Sequence, residues 1–313
     1  MTRALVFPGQ GSQAVGMGKE LADAFPVARE VFQEVDDALS QKLSALMFEG
    51  PESELTLTEN AQPALMAVSL AVTRVLEKEG GFTLTDKCDL VAGHSLGEYS
   101  ALAAAGTFGI SDAARLLKTR GQAMQAAVPV GVGAMAALLG LDYADAVAVA
   151  EEAAQGDVCT AANDNANGQV VVSGHKAAVE RAIEIAKEKG AKRAVLLPVS
   201  APFHCPLMQP AADRMAEALA EVSMKAPGKP VVANVTAEKT DDPETIRKLL
   251  VEQVCGTVRW RESVLYMKEQ GITDLVEIGT GKVLTGMVRR IDRELSGTAV
   301  NGPADIEAFL GTL

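Results

Sequence analysis

Ser95 lies in Gly93-His94-Ser95-Leu96-Gly97, with a glycine two residues away on each side. An apolar run, CDLVAG, precedes this stretch, and a helix-forming run, EYSALAAAG, follows it. G-x-S-x-G between a strand and a helix suits a nucleophile on a sharp turn. The glycines relieve crowding, and the next amide, Leu96 N–H, points from a helix N-terminus toward a developing oxyanion. The competing reading is a small residue in an ordinary turn. A serine hydroxyl needs a base at neutral pH, and the chain has three histidines. His94 adjoins Ser95 and reads as packing on the turn. His175 opens a helix and reads as a surface or capping residue. His204, in PVSAPFHCPLM between Pro202 and Pro206, sits on a stiffened loop and is the candidate base. An acid completing a triad cannot be chosen from the many Asp and Glu, and the third role need not belong to a side chain.

The second chemical signal is an arginine on the apolar side of a helix. In DAARLLKTRGQAMQAA, at about 100° per residue, Ala113, Leu116, Leu117, Ala123, Met124 and Ala127 share the stripe of Arg120. Arg115, Lys118, Gln122 and Gln125 form the polar face. A buried guanidinium needs an anionic partner. Three partners are open: a structural pair with a buried Asp or Glu, water reached by snorkelling, or a carboxylate substrate held bidentately.

The elements that must position these groups alternate between strand and helix. Strands are expected at 4–9, 88–93, 230–235 and 273–279. Helices are expected at 26–39, 63–80 (Pro63 in the first turn, Gly80 and Gly81 at the end), 97–105, 112–127 (Ser111 as N-cap), 207–222, 243–254, 259–270 and from about 281. Between residues 133 and 199 the order is β-α-β-β-α-β, with strands 158–163 and 169–174 joined by DNANG. The fold class is α/β: a hydrolase-like large domain (1–128 and 200–313) with a mostly parallel sheet, interrupted by a ferredoxin-like insert (129–199).

Composition bounds the function. The 313 residues are 48% hydrophobic and 22% charged, as in an ordinary globular protein. No apolar run approaches the roughly 18 residues of a membrane helix, and the N-terminus lacks a secretory apolar region. A formal charge of −12 argues against nucleic acid. Cys88, Cys159, Cys205 and Cys255 are scattered without C-x-x-C, so neither a zinc site nor a disulfide framework is expected, and a cytoplasmic location is.

FPGQGSQAVGMG, GHSLGEYSAL, TRGQAM, NANGQVVVSG, APFHCP and VRW occur in this order across nearly the whole chain. Together they resemble the malonyl-CoA:acyl carrier protein transacylase family of bacterial fatty acid synthesis. The resemblance implies a ping-pong acyl transfer. Ser95 attacks the malonyl thioester, His204 is general base, and Arg120 binds the malonyl carboxylate. The backbone N–H groups of Gln10 and Leu96 form the oxyanion hole. The backbone carbonyl of Gln253 orients the histidine in place of a triad acid. Asn163 and Asn234 match asparagines near the family's site. Phe203, beside the base, favours malonyl over methylmalonyl groups. No metal or redox cofactor is implied, since malonyl-CoA is substrate and phosphopantetheine arrives on the carrier protein.

An acidic carrier meeting an acidic enzyme requires a local basic patch. Arg289, Arg290 and Arg293, or Lys192 and Arg193, could supply it, or could be ordinary solvated element ends. A monomer is expected. The competing functions are a serine esterase or thioesterase of the α/β hydrolase type, which the missing HGGG-type loop disfavours, and a non-catalytic docking subunit, which the Ser95–His204 pair disfavours.

Overall fold

The computed structural model describes residues 2–313. Two sheets organise the chain. The larger joins β1 (Arg3–Phe7) and β2 (Leu90–Gly93) to four later strands. The smaller is built from β3 (Gly133–Leu139), β4 (Cys159–Ala166), β5 (Gln169–His175) and β6 (Arg193–Leu196). The chain then returns to the large sheet with β7 (Val231–Val232), β8 (Lys239–Thr240), β9 (Asp274–Ile278) and β10 (Ser296–Val300). The large sheet has the order β10-β9-β1-β2-β7-β8, parallel throughout except for β8. The protein is thus α/β with a mixed, mostly parallel sheet.

The apolar runs of the parallel strands follow from burial on both faces. Leu5 and Phe7 enter one core layer with the helix Thr58–Gly80; Ala4 and Val6 enter the other with the helices Trp260–Glu269 and Val283–Ile291. β1 and β2 pair in register, Phe7 opposite Gly93. The loops after them, carrying Gln10 and Ser95, therefore emerge side by side at the carboxyl end of the sheet, where open α/β sheets place their sites.

The small sheet has the order β4-β5-β3-β6, all antiparallel. The helices Tyr143–Ala154 and Lys176–Glu188 cover one face. The strand period of two divides its residues. Ala136, Leu138, Val170 and Val172 pack under those helices, while Met135, Ala137 and Val171 face a cavity shared with the loops that follow β1 and β2. Strand β4 is fastened to the segment that leads into the helix Trp260–Glu269 and to that helix: Asp164 N donates to Val258 O at 2.9 Å, and Arg261 Nη2 reaches Asp164 Oδ2 at 2.9 Å.

Several boundaries differ from the sequence expectations. The helix expected at 63 begins at Thr58, so Pro63 lies beyond the first turn. Ile110–Ala126 is capped by Gly109; the Ser111 hydroxyl instead donates to Glu34 Oε1 at 2.8 Å. DNANG is not all loop: β4 runs on through Ala166, leaving Asn167 and Gly168 as the turn, with Gly168 at φ 68°. PVVANV shrinks to the two residues of β7, because the chain turns back at Ala233, where Ala237 N donates to Ala233 O. Strand β10, on the sheet edge, was not anticipated, since SGTAV has neither a long apolar run nor a buried alternating face.

Candidate active site

Ser95 is the residue before the helix Leu96–Ala104, at φ 53° and ψ −111°, a conformation that costs a non-glycine residue of order 1–3 kcal/mol. The surroundings hold it. Ser95 N donates to Asn234 Oδ1 at 2.7 Å, Asn234 Nδ2 donates to Gly93 O at 2.7 Å, and Gln253 Nε2 donates to Ser95 O at 3.0 Å. The flanking glycines are needed for close approach. A Cβ on Gly93 would lie 1.9 Å from Gly97 C, and one on Gly97 would lie 2.2 Å from Phe7 O. The elbow thus depends on both glycines and on Asn234, which sits behind the turn.

Ser95 Oγ lies 2.8 Å from His204 Nε2, and His204 Nδ1 lies 2.9 Å from Gln253 O. The carbonyl can only accept, so Nδ1 carries the proton and Nε2 is left to accept from Ser95. His204 is 4% exposed. Burial, with Arg120 nearby, pushes its pKa down to about 3. It is therefore neutral, the form a general base requires.

Arg120 is 1% exposed on the helix Ile110–Ala126, with Ala113, Leu116, Leu117 and Met124 also buried, as the helical phase predicts. Nη1 donates to Gln62 Oε1 at 2.7 Å. Nη2 donates to Gln253 Oε1 at 2.8 Å and to Ser95 Oγ at 3.1 Å. Nε has no partner. None of these acceptors is charged, so a direct pair with a buried Asp or Glu is not what stabilises it. The guanidinium also lies 5.7 Å from the centre of the Tyr99 ring.

Ser95, His204 and Arg120 open into a cavity of about 870 Å³ between the two sheets, which Gln10, Leu96, Asn163 and Phe203 also line. Among the described residues the backbone N–H groups of Gln10 and Leu96 make no hydrogen bond. Both are free to donate to a bound group. Asn234 and Gln253 do not line the cavity; they act from behind it. His94 packs its ring against Trp260, with Nε2 2.8 Å from Asn165 Oδ1, and it also lines the cavity, which the expectation of a purely packed residue did not include. His175 precedes the helix Lys176–Glu188, and its Nδ1 accepts from Val158 N at 2.9 Å.

Three residues escaped the sequence reading. Gln62 links Arg120 to Thr58, whose hydroxyl donates to Gln10 Oε1 at 2.9 Å. Glu98 accepts from Gln253 Nε2 at 2.8 Å and from Asn234 N at 3.1 Å. The available signal was a polar residue in an apolar helical run: Glu98 is the one charge in LGEYSALAA, and Gln62 and Thr58 belong to a helix buried on almost every side as far as Thr73. Among the described residues no group of His, Cys, Asp and Glu could hold a metal ion, and no helix is long and apolar enough to cross a membrane.

The acyl transferase domain family matches residues 4–304. The Escherichia coli K12 malonyl CoA-acyl carrier protein transacylase is 49% identical over 307 residues, covering 98% of each chain. A crystal structure of the acyl-carrier-protein-S-malonyltransferase from Bartonella henselae superposes with a TM-score of 0.97 at 57% identity, over 100% of this chain and 99% of the other. A malonyl-transacylase solved in complex with a type II polyketide synthase acyl carrier protein superposes with a TM-score of 0.96 at 47% identity, over 100% of both chains. A strained serine paired with a buried neutral histidine, beside a guanidinium that no acid contacts directly, accompanies these likenesses, and the chain belongs to the acyl transferase family, among its malonyl-CoA:acyl carrier protein transacylases.

Proposed function

We propose that the protein transfers a malonyl group from malonyl-CoA to the phosphopantetheine thiol of an acyl carrier protein through a malonyl-Ser95 ester. One observation carries the residue roles: Ser95 Oγ sits between His204 Nε2 at 2.8 Å and Arg120 Nη2 at 3.1 Å. In the first step His204 Nε2 takes the Ser95 proton as Oγ attacks the thioester carbonyl. The oxyanion accepts from the N–H groups of Gln10 and Leu96, each worth about 2.7–4 kcal/mol of barrier. Collapse expels the CoA sulfur, which leaves with the proton from His204. In the second step the carrier thiol gives its proton to His204 and attacks the ester, and Ser95 Oγ leaves and is reprotonated. Both steps balance without a metal or redox group.

Arg120 selects the acyl group. A malonyl carboxylate supplies the anion that its neutral partners do not; an acetyl group leaves it unmatched. Phe203, on the cavity wall, limits room at the α-carbon and favours malonyl over methylmalonyl. Gln253, through its carbonyl, takes the orienting role of a triad acid.

Carrier docking is assigned to two exposed basic clusters, one of which reaches the cavity lining where Arg290 Nη1 donates to Gln169 Oε1. Lys192, Arg193, Arg289 and Arg290 are exposed, and the β4–β5 turn brings the two clusters together. Asn167 Nδ2 donates to Arg290 O at 3.0 Å, Gly168 O accepts from Gly140 N at 2.8 Å, and Leu139 O accepts from Lys192 N at 2.8 Å. The two clusters together can thus offer four positive charges to an acidic carrier. Reversing the charges at 289 and 290 should raise the KM for carrier and leave acylation by malonyl-CoA intact.

The same reading takes the architecture as a hydrolase-like domain (1–128 and 200–313) with a ferredoxin-like insert (129–199). The β-α-β-β-α-β order and the β4-β5-β3-β6 sheet support it. Mass spectrometry after incubation with malonyl-CoA alone tests the mechanism. One persistent malonyl adduct on Ser95 is expected. Steady CoA release with no adduct would instead indicate a hydrolase.

A further inference from the structure

Glu98 is 1% exposed in a helix buried along nearly its whole length, and the transfer steps above do not use it. Its carboxyl is joined to Arg120 through a single amide: Gln253 Nε2 donates to Glu98 Oε2 at 2.8 Å, and Gln253 Oε1 accepts from Arg120 Nη2 at 2.8 Å. The other groups facing it are neutral. Asn234 presents a backbone N–H from the segment after β7. Tyr99, on the same helix, is held as a phenol by burial, its pKa pushed up to about 12. His204, whose Nδ1 bonds Gln253 O, is held unprotonated. Arg120 and Glu98 are thus the two charges of one buried hydrogen-bonded network.

With the cavity empty, an ionised Glu98 neutralises that network. A substrate carboxylate on Arg120 would leave two buried carboxylates against one guanidinium, which low-dielectric surroundings oppose. We propose that Glu98 is the counter-charge of Arg120 in the empty site, and that it takes up a proton when the malonyl carboxylate binds. The inference rests on the reading of Arg120 given under Proposed function. Burial holds the Glu98 carboxyl at about 7, against the opposing pull of Gln253, Asn234 and Arg120, so its proton can be exchanged in the physiological range. Glu98 does not touch substrate; it is a positioning and charge-balancing residue acting through Gln253.

The sign follows from linkage. The free site is ionised above about pH 7, and the malonyl-bound site holds the proton to higher pH. Malonyl binding therefore weakens as pH rises, by up to about tenfold per pH unit for one linked proton. Forming malonyl-Ser95 with release of CoA is proton-neutral by itself while the CoA thiol stays protonated, because the Ser95 proton leaves on sulfur.

The experiment mixes wild-type enzyme and malonyl-CoA at pH 7.5 in weak buffer with an indicator dye, with Ser95 acylation followed in parallel. Uptake of roughly one-half to one proton per acylated site is expected. None is expected on acetylation by acetyl-CoA, nor with Glu98→Gln, the uncharged mimic of the protonated acid. The KM for malonyl-CoA should climb between pH 7.5 and 9 in the wild type and stay flat in Glu98→Gln. Full malonylation of wild-type Ser95 without proton uptake overturns the proposal, and this needs no variant to fold. If Arg120→Ala still prefers malonyl-CoA to acetyl-CoA, the reading of Arg120 fails first. If that preference is lost but no proton is taken up, only the role of Glu98 fails.

Discussion

Arg120 is buried and Arg261 half-buried, and their partners differ. Arg261 grips Asp164, which is 1% exposed, with Nε 3.1 and 3.0 Å from the two carboxylate oxygens and Nη2 2.9 Å from one of them. That bidentate pair joins the helix Trp260–Glu269 to strand β4 of the small sheet. Arg120 is buried more deeply, yet its hydrogen bonds go to two glutamine side chains and a serine. Stripping water from a guanidinium is unfavourable unless an anion replaces it. Where the protein sets the anion directly against the guanidinium, the arginine is part of the fold. Where it supplies neutral acceptors facing a cavity, the arginine is set for an anion from outside.

Measurements can break or sharpen this contrast. The largest expected effect is at Ser95, the proposed nucleophile beside Arg120. Ser95→Ala should lower kcat by on the order of 10⁴-fold or more and remove the malonyl adduct while both arginines stay in place. A wild-type transfer rate in that variant would remove the chemical meaning of the Arg120 site. Next is Arg120→Ala, for which kcat/KM with malonyl-CoA should fall roughly 10²- to 10³-fold, the kinetic equivalent of about 3–4 kcal/mol, with little change for acetyl-CoA. Parallel steady-state assays on the two thioesters decide it; an equal loss on both would mean Arg120 is structural after all.

Arg261→Ala should do the reverse. Leaving Asp164 unpaired should cost about 2–3 kcal/mol of stability, less than a fully buried pair because Arg261 keeps some solvent contact. Calorimetry should show a melting temperature lowered by a few degrees, and the malonyl-to-acetyl ratio should hold. The smallest effect is on a proton. Burial, then Arg120, holds His204 near 3 against an ordinary value of 6.5. Its protonation therefore draws on folding stability as pH falls from 6.5 toward 3. NMR titration of the imidazole should move upward in Arg120→Ala and stay put in Arg261→Ala. An unmoved His204 in the first variant would separate Arg120 electrostatically from the base.

Much of this was legible in the chain because it is local. The phase of DAARLLKTRGQAM fixes which side of the helix Arg120 occupies, and the helix is long enough for that phase to be unambiguous. G-x-S-x-G after an apolar run specifies an elbow because only glycines tolerate the approach of Gly97 to Phe7. With three histidines, elimination reached His204. Boundaries set by packing were less legible. Pro63 suggested a helix start, yet tertiary contacts carry that helix back to Thr58. SGTAV has no apolar signature because β10 is an edge strand with one neighbour.

By itself, the sequence determined the α/β alternation, the elbow serine, the stiff histidine loop and an arginine turned inward, all of them properties of a few adjacent residues or one helical repeat. It could not determine that Arg120 meets amides instead of an acid, or that Glu98 stands one amide away. Nor could it show that Asn234 pins the elbow from behind, or that the β4–β5 turn bonds Arg290 on one side and Gly140 on the other. Those contacts join residues dozens to more than a hundred positions apart. Only packing the sheets and helices into one body decides which polar groups lose water together, and therefore which must satisfy one another and which are left for a substrate.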